Sequence, residues 1–484
     1  MSELEEVKRI NDQQAQRILE LEFQLKELKR LIFGAKSEKR KSDPAHPNQL
    51  SLFDLPNETE DVEVPSHVEV PAHKRKQTKE KKKPLRLEIP EDLERRTQVI
   101  EPDPIPEGAV NIGTEVTEVL EYEPGKLYVR RIERPKYAIP VAPGEAKIII
   151  GDLPSMIIPK GNAGVSLLVF LFVSKFVDHL PFHRIAKILA RNGIKIPEST
   201  INGWFAAVCK YLEILYDQMI EEITRGDYVC ADETGLPVLT KDSPKAAHKG
   251  YLWAYYSPVN KLVVFDYQPG RGKAAPNAFL KDFQGFLQVD GYAGYNDLAR
   301  KEGVTALGCL AHARRKFEHA KDNDAKRANK ALDFIGALYA IEAKAREDKM
   351  NTQERKAYRL EYATPVWDAF EAWLEAERNS LLPQSAIGKA FGYTLEFWNR
   401  LKVYLQDGHL EIDNNLIENT IRPVALGRKN FMFAGSHEGA KRTAIMYTML
   451  GTCKAREANP TQWMTELLSK LPDHPANRVL ELLP

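Results

Sequence analysis

Near the N-terminus, a repeat of apolar and amide side chains predicts one long amphipathic helix. Steps of three and four residues separate Leu4, Val7, Asn11, Gln14, Ile18, Leu21, Leu25, Leu28 and Ile32. This spacing is that of the a and d positions of a coiled coil, and a polar residue such as Asn11 at an a position fixes register and strand number. We therefore expect residues 1–35 to be an oligomerisation helix in a homo-oligomer of at least two chains. The alternative is an amphipathic helix packed on its own protein.

The pattern is lost over residues 36–86, which are polar and interrupted by prolines, as in a flexible linker. The segment His73–Arg86 (HKRKQTKEKKKPLR) is strongly basic and predicts an arm that lies on nucleic acid. Its candidate DNA-binding residues are Lys74, Arg75, Lys76, Lys81, Lys82 and Lys83. A solvated charge run is the competing interpretation.

Alternating apolar residues over 87–150 predict a β-rich module, with a hairpin turn at Pro124-Gly125. Residues 151–225 follow as a helical domain. In it, helices over Pro181–Arg191 and Glu198–Val208 flank the turn Asn192-Gly193, which suits a helix-turn-helix that binds DNA. Ser199, Thr200 and Asn202 would then begin the recognition helix. Many helical hairpins that bind no DNA share this pattern.

From residue 226 the apolar runs become short and strand-like. They predict a first strand with Asp232 near its end, a hairpin of two more strands, a helix at Ala274–Phe283, and a strand at Gly285–Asp290. A helix at Asn296–Gly303 and a strand at Val304–Leu310 complete the order β-β-β-α-β-α-β. This is the element order of a ribonuclease H-like fold.

The chain beyond this sheet reads as helical. Residues 311–406 are charged, with apolar positions at helical spacing, and predict a helical insertion into a catalytic core formed by 226–310 and 407–436. Residues 437–484 predict two C-terminal helices around Asn459-Pro460. The expected fold class is α+β and multidomain.

The segment 410–430 carries polar residues in an ordered pattern. Asn414, Glu418 and Arg422 recur every four residues, which places them along one helix face. Pro423 is expected to end or bend that helix. The following Gly427–Asn430 (GRKN) then predicts a basic turn suited to phosphate, with Arg428 and Lys429 as candidate DNA contacts. Arg422 could pair with Glu418 or contact a phosphate.

Three carboxylates stand out in this framework: Asp232, Asp290 and Glu418. Strand ends and a later helix of a ribonuclease H-like sheet meet at one edge, so these acids are expected to converge. Carboxylate oxygens suit Mg²⁺, and two such ions activate an attacking hydroxyl and stabilise the leaving oxygen of a phosphodiester. Each acid alone also has a structural interpretation: Asp232 in a turn, Asp290 bonded to the Gly291 loop, and Glu418 paired with Arg422.

Composition narrows the class of protein further. The net charge is +1, so overall charge does not indicate a polyanionic partner, and the four cysteines are scattered, as in a protein of a reducing cytosol. No cysteine precedes Cys209, and the apolar run Val165–Val173 is too short to span a bilayer. A charged N-terminus lacks the features of a signal peptide. We expect a cytoplasmic, nucleoid-associated protein without membrane contact.

Several motifs together resemble the DDE transposases of bacterial insertion sequence 66. They are FGAKSEK (Phe33–Lys39), RPKYA (Arg134–Ala138), ADET (Ala231–Thr234), VDGYAGYN (Val289–Asn296), GCLAHARRKF (Gly308–Phe317) and IDNNLIENTIRPVALGRKNFMFAGS (Ile412–Ser436). The resemblance implies an enzyme that nicks DNA at transposon ends and joins the freed 3′-hydroxyl to target DNA. It places Asp232, Asp290 and Glu418 on the family's catalytic, metal-binding acids, with Mg²⁺ as cofactor and Mn²⁺ as a substitute. Its partners would be double-stranded DNA and accessory proteins of the element.

The chain departs from the family pattern before the RPKYA motif. Glu101–Gly108 (EPDPIPEG) stands where family members carry a cysteine cluster resembling a zinc ribbon, so we predict no structural zinc. Cys309 and His312 have C-x-x-H spacing without two further ligands nearby, and are expected to support the site or the fold.

The resemblance also suggests minor roles around the acids. Asn414 and Asn415 are candidates for orienting Glu418 or contacting the scissile phosphate, and Arg314 and Arg315 for lining the DNA path. Two other functions remain open: a ribonuclease H-like nuclease that hydrolyses DNA without joining it, and a non-catalytic DNA-binding protein derived from a transposase. An assay for joined product separates the first from a transposase.

Overall fold

The structure is a computed structural model, and it describes most of the chain from residue 155 onward. The described residues are 14, 17, 18, 21, 125, 127–133, 155–158, 161, 163–239 and 248–484, together with the backbone of 136–142 and 145–150. The basic arm with its five candidate lysines and one candidate arginine, the Glu101–Gly108 segment and most of the predicted coiled coil lie outside them.

Four positions of the predicted coiled coil are described, and all four are helical: Gln14, Arg17, Ile18 and Leu21. The a and d side chains Ile18 and Leu21 are 57% and 49% exposed in the single chain. This exposure is consistent with burial against a second helix, because a and d side chains of a coiled coil pack between chains. Oligomerisation stays a prediction.

The β-rich region contains one described hairpin, which pairs β1 (Lys136–Ala142) antiparallel with β2 (Glu145–Ile150). The hairpin that the sequence predicted at Pro124-Gly125 is wrong in its second arm, since 127–133 forms no strand. Tyr128 and Val129 in that arm are 80% and 90% exposed. Alternating apolar residues become a strand only when one face is buried against a partner.

Three helices follow: α1 (Val165–Phe176), α2 (Phe182–Arg191) and α3 (Glu198–Arg225). The predicted turn is present, and Gly193 adopts a φ of 86°, a left-handed conformation that favours glycine. The second helix of the predicted helix-turn-helix, α3, is far longer than predicted, at 28 residues. It continues past Val208 because buried apolar residues recur at helical spacing and no glycine or proline follows before Gly226: Leu212, Leu215, Met219 and Ile223.

A five-stranded mixed sheet forms the centre of the chain, with strand order β5-β4-β3-β6-β7. Its strands are β3 (Tyr228–Val238), β4 (His248–Ser257), β5 (Leu262–Gln268), β6 (Gly285–Gln288) and β7 (Val304–Leu307). β3, β4 and β5 are antiparallel neighbours, whereas β6 runs parallel to β3 and β7 parallel to β6. This arrangement is consistent with a ribonuclease H-like core.

Two details of the predicted sheet are wrong. Asp232 lies in the middle of β3, because the antiparallel pairing with β4 continues to Val238. The helix predicted at Asn296–Gly303 is replaced by short 3₁₀ turns at Ala293–Tyr295 and Leu298–Arg300. This segment is too short and too polar to bury a helix face, and it returns to β7 through Gly303 at a φ of 80°. The preceding helix α4 is also short (Ala274–Phe279).

The helical content predicted for 311–406 is confirmed. Its helices are α5 (Leu310–Ala320), α6 (Ala325–Glu347), α7 (Thr352–Tyr358), α8 (Thr364–Arg378), α9 (Ala386–Glu396) and α10 (Trp398–Lys402). A π-helical turn at Arg359–Ala363 joins α7 to α8, and a 3₁₀ turn at Val403–Gln406 follows α10. Trp367, Phe370 and Trp398 pack in the centre of this segment, which therefore has its own aromatic core.

The polar segment 410–430 forms α11 (Asn415–Phe431), and Pro423 lies inside this helix rather than at its end. The predicted basic turn Gly427–Asn430 is therefore wrong, since these residues are the last turns of the same helix. Proline removes one backbone donor from a helix, but the buried side chains of Ile417, Ile421 and Val424 hold both halves against the core.

Two further helices close the chain as predicted: α12 (His437–Ala455) and α13 (Pro460–Lys470), with the Asn459 side chain capping α13. α12 covers the edge strand β5, and the hydroxyls of Thr448 and Thr452 accept from Phe265 N at 2.9 Å and Val263 N at 3.0 Å. An edge strand is thereby protected from pairing with another chain. Within the described residues, no helix has both the length and the apolar composition that crossing a bilayer would need.

Candidate active site

Asp232 lies where β3 loses one of its two neighbours. Parallel pairing between β3 and β6 ends at Cys230 and Gln288, two residues before Asp232, while β4 stays paired beyond it. The carboxylate therefore stands beside an open edge of the sheet. Its Oδ1 accepts a hydrogen bond from Glu233 N at 2.8 Å.

Asp290 follows the end of β6, the strand next to β3. Its Oδ1 accepts from Tyr292 N at 2.9 Å, so the side chain also shapes the loop that begins at Gly291. The structural role foreseen for this residue is thus present. A carboxylate has two oxygens with about four acceptor positions, so a loop hydrogen bond leaves capacity for a cation.

Glu418 is in the first turn of α11, and the residues around Asn414 fix where that helix begins. The Asn414 side chain donates from Nδ2 to Ala231 O at 3.1 Å, one residue before Asp232. Its backbone N–H donates to Cys309 Sγ at 3.2 Å. Because Glu418 N bonds Asn414 O at 3.2 Å, one helical turn connects this anchor to the third acid.

A buried glutamine also connects the strands that lead to Asp232 and Asp290 with the segment that precedes α11. Gln288, at the end of β6, donates from Nε2 to Glu411 O at 2.9 Å and to Gly308 O at 3.3 Å, and it accepts from the Tyr228 hydroxyl. It thus links β3, β6 and the segment that enters α11. An unpaired amide in this position would be costly, so these three hydrogen bonds specify the arrangement.

The electrostatics show that the acids share one neighbourhood. Burial raises the pKa of Asp232 well above its ordinary value, and the charges of Asp290, Glu233 and Glu418 raise it further. The described partners of Glu418 are Arg315, with Nη2 at 3.5 Å from Oε2, and the His312 imidazole, with Nε2 at 3.9 Å from Oε1. Burial lowers the pKa of His312, and the Arg315 charge lowers it too, whereas Glu418 raises it.

These side chains fit a divalent cation in chemistry. Clustered carboxylates disfavour one another's charge, which a cation would relieve, and oxygen ligands suit Mg²⁺. The Asn414 Oδ1 and His312 Nδ1 atoms are buried and have no hydrogen-bond partner among the residues that the structure describes. In the described part of the chain, no three His, Cys, Asp or Glu side chains already lie close enough to hold a metal ion.

The supporting residues proposed from sequence lie at this site, with specific contacts. Cys309 is buried and accepts the Asn414 backbone hydrogen bond, and burial raises the pKa of its thiol, so it acts here as a packing residue. Asn415 donates from Nδ2 to Asp413 Oδ2 at 2.8 Å, and Tyr339 donates to that same oxygen at 2.7 Å. Asn415 thus faces the helical segment, whereas Asn414 faces β3.

The candidate DNA contacts are spread over several surfaces. Ser199, Thr200 and Asn202 are exposed at the start of α3, although Asn202 Nδ2 already donates to Glu198 O at 2.9 Å. Arg315 is exposed beside Glu418, and Arg314 pairs with Glu318 at 3.2 Å. Their contact with DNA stays a prediction.

The cations of α11 have more definite surroundings. Arg428 donates from Nη1 to Thr234 Oγ1 at 3.2 Å and to Gly235 O, so it joins the end of α11 to β3. Lys429 is exposed on the same turn. Arg422 lies near Lys454, whose pKa its charge lowers after the larger effect of burial. The described partners of Glu418 are Arg315 and His312, and the role of Arg422, as a partner of Glu418 or a phosphate contact, stays a prediction.

Sequence reasoning missed a group of contacts around Glu233, the residue that follows Asp232. Glu233 pairs with Arg271 and accepts from the Tyr295 hydroxyl at 3.2 Å, and the Arg271 guanidinium lies over the ring of Tyr292. Burial raises the pKa of Glu233, while the Arg271 hydrogen bond and charge lower it. Glu233 and both tyrosines belong to the ADET and VDGYAGYN motifs, which was the signal available in the sequence.

Comparison with known proteins gives consistent results along the chain. A family described as "Transposase IS66 family" matches residues 160–442, one described as "IS66 C-terminal element" matches 448–484, and one described as "Transposase C of IS166 homeodomain" matches 20–97. The uncharacterized protein y4qI of Sinorhizobium fredii (strain NBRC 101917 / NGR234) is 32% identical, covering 100% of this chain and 92% of its own. The uncharacterized protein y4jD of the same organism is 31% identical, covering 95% and 92%.

Proposed function

The chain belongs to the insertion sequence 66 family of transposases, and we propose that it cleaves DNA at transposon ends and joins the freed 3′-hydroxyl to target DNA. The observation that carries this proposal is the way the structure joins the three acids: Asn414 Nδ2 donates to Ala231 O at 3.1 Å, one residue before Asp232, and one helical turn separates Asn414 from Glu418. Asp290 follows β6, the strand next to β3. In this proposal the five-stranded sheet is a ribonuclease H-like core, and residues 311–406 are its helical insertion.

Asp232, Asp290 and Glu418 would hold Mg²⁺. The bound ion would supply Lewis acidity toward the phosphodiester and a more acidic attacking hydroxyl. The chain's own part is to keep the acids adjacent and to limit their freedom. Gln288 and Asn414 do this by hydrogen bonds that connect β3, β6 and α11.

Arg315 partly balances the charge of Glu418 in the absence of DNA, and the His312 imidazole lies beside the other carboxylate oxygen. Arg315 is the more exposed of the two, with 58% of its side chain accessible, and so is suited to exchange Glu418 for a phosphate when DNA binds. The exposed start of α3 and the basic arm would bind the duplex away from the acids, and a coiled coil over 1–35 would bring two transposon ends together.

The test is a strand-transfer assay with a duplex that carries the element's end sequence and a target plasmid. Asp232→Asn, Asp290→Asn and Glu418→Gln should each abolish joined product while end binding stays near wild type. Asp282→Asn is the matched control, because Asp282 is an exposed acid on the same sheet domain, whose ion pair is with the adjacent Lys281 at 3.6 Å.

The outcomes separate the three functions. Joined product from the wild type, lost in all three acid variants, supports the transposase. Nicked DNA without joined product would identify a hydrolytic nuclease. Binding without either product, with variants equal to wild type, would identify a DNA-binding protein and refute the proposal.

A further inference from the structure

Arg271 is an arginine held in a fixed orientation beside the acids. It lies in the loop between β5 and α4, flanked by Gly270 and Gly272. Its Nε donates to Glu233 Oε1 at 2.7 Å, and its Nη2 lies 2.5 Å from the same oxygen. The guanidinium carbon is 4.0 Å from the ring centroid of Tyr292. The Tyr292 hydroxyl donates back to Arg271 O at 2.6 Å, so ring, loop and guanidinium form one unit.

Tyr292 connects this unit to the proposed catalytic acids, because its backbone N–H donates to Asp290 Oδ1 at 2.9 Å. Glu233 follows Asp232 directly in β3, so the two side chains point to opposite faces of the sheet, and 2% of the Glu233 side chain is exposed. Its second oxygen accepts from the buried Tyr295 hydroxyl at 3.2 Å. Both Glu233 oxygens are therefore engaged, one by Arg271 and the other by Tyr295.

The pairing with Glu233 uses only some of the N–H donors of the Arg271 guanidinium. A guanidinium has five N–H donors in a planar fork, and the contacts with Glu233 engage the Nε and one edge of Nη2. Among the described residues, Nη1 has no recorded hydrogen-bond partner, and 46% of the side chain is exposed.

We propose that the free edge of Arg271 binds a backbone phosphate of the DNA strand next to the reacting phosphodiester, with Glu233 and Tyr292 as positioning residues. The proposal rests on the proposed function, since it assumes that DNA reaches the acids. A strand passing three carboxylates is repelled, and an oriented cation offsets that repulsion. Orientation matters because a guanidinium already fixed by Glu233 and Tyr292 loses little side-chain entropy when it binds phosphate.

A methylphosphonate scan tests this contact directly. Single uncharged methylphosphonates replace each phosphate within four nucleotides of the cleavage position in the end duplex, and joining is measured for each. In wild type, one position outside the scissile phosphate should lower kcat/KM about 10- to 100-fold, as expected for loss of a charged hydrogen bond. In Arg271→Ala, the unmodified duplex should show that loss, and the same methylphosphonate should cause no further decrease.

Controls separate this role from a structural one. Arg300→Ala removes an exposed arginine of the nearby 3₁₀ turn and should keep the wild-type profile. Arg271→Lys should restore part of the rate and part of the sensitivity to that methylphosphonate. A folding defect in Arg271→Ala would instead lower joining for all duplexes equally and leave the wild-type profile unchanged in shape.

Binding to the same duplexes in the Asp232→Asn background gives a readout that needs no reaction. The inference predicts that Arg271→Ala removes the affinity difference between the modified and unmodified duplexes. If wild type joins ends and Arg271→Ala keeps the full methylphosphonate profile, the inference is wrong and the proposed function stands. If wild type gives no product but Arg271→Ala still removes the affinity difference, the phosphate contact stands without the proposed function.

Discussion

Replacing Arg359 should loosen the segment that leads into the glutamate-bearing helix. Arg359 is fully buried in the π-helical turn between α7 and α8. It donates to both oxygens of the fully buried Glu342 at 2.7 and 2.8 Å. Its remaining donors reach the carbonyls of Tyr404, Asp407 and Leu410 at 2.9, 2.7 and 2.8 Å. One side chain thus holds residues 404–410, which precede α11.

The free-energy cost of Arg359→Met follows from the groups that would lose a hydrogen-bonding partner. Breaking a buried ion pair by removing one partner costs about 3–5 kcal/mol. Two buried carbonyls and one partly buried carbonyl would also lose a partner, which offsets any gain from apolar packing. Glu342 keeps a second cation, since Arg355 Nη2 lies 2.6 Å from Oε2, so we expect the lower part of that range. Local opening of 404–410 should then become about 100-fold more frequent.

Hydrogen–deuterium exchange read by mass spectrometry measures that opening for peptides covering 404–411. The matched control is Arg378→Met, in the same helical segment. Arg378 pairs with Glu375 at 3.1 Å with both side chains about half exposed, and such surface pairs contribute about 0–1 kcal/mol. Strand transfer should fall in Arg359→Met and stay near wild type in Arg378→Met.

Equal exchange of 404–411 in Arg359→Met and wild type would refute this reasoning. It would mean that the aromatic packing of Trp367 and Tyr404 alone fixes the segment. A large increase in exchange throughout the chain would also contradict it, because the predicted effect is local to the segment that Arg359 contacts.

Three further predictions concern regions away from the acids. Burial among phenylalanine rings lowers the pKa of Lys175 to about 8 in the folded protein, from 10.5. Between these two pH values the unfolded chain binds the extra proton, so the wild type should gain stability relative to Lys175→Met as the pH rises from about 8 to 10.5. A parallel pH dependence of the urea midpoints of the two proteins would contradict this. Deleting residues 1–35 should reduce the oligomer mass in light scattering, and an unchanged mass would exclude the coiled-coil interface. Deleting residues 73–86 should make the dependence of DNA affinity on salt concentration shallower, since phosphate contacts release counterions; an unchanged slope would exclude the arm from binding.

The sequence could predict the features of this protein that depend on residues close together in the chain. Asp232, Asp290 and Glu418 were identified because short motifs and strand-like runs place them at positions where a mixed sheet would gather them. The hairpin of β4 and β5 and the helices on either side of Asn459-Pro460 follow from apolar periodicity and turn residues. These features depend on neighbours within a few residues, which a sequence displays directly.

Errors arose where distant packing overrides a local signal. Pro423 normally ends a helix, yet α11 continues to Phe431 because its apolar face is buried against the sheet. Asp232 was expected near a strand end, but β4 extends the strand well beyond it.

Only tertiary structure could show how the site is held. Asn414 bonds Ala231, Gln288 bonds Glu411, and Arg271 pairs with Glu233 across 38 residues or more of chain. Hydrogen bonds depend on distance and angle in space, and nothing in the separation along the chain specifies these. The sequence by itself determined which residue types carry the proposed chemistry. The fold decided which of them meet, and which side chains, such as Arg271 and Arg359, hold them in place.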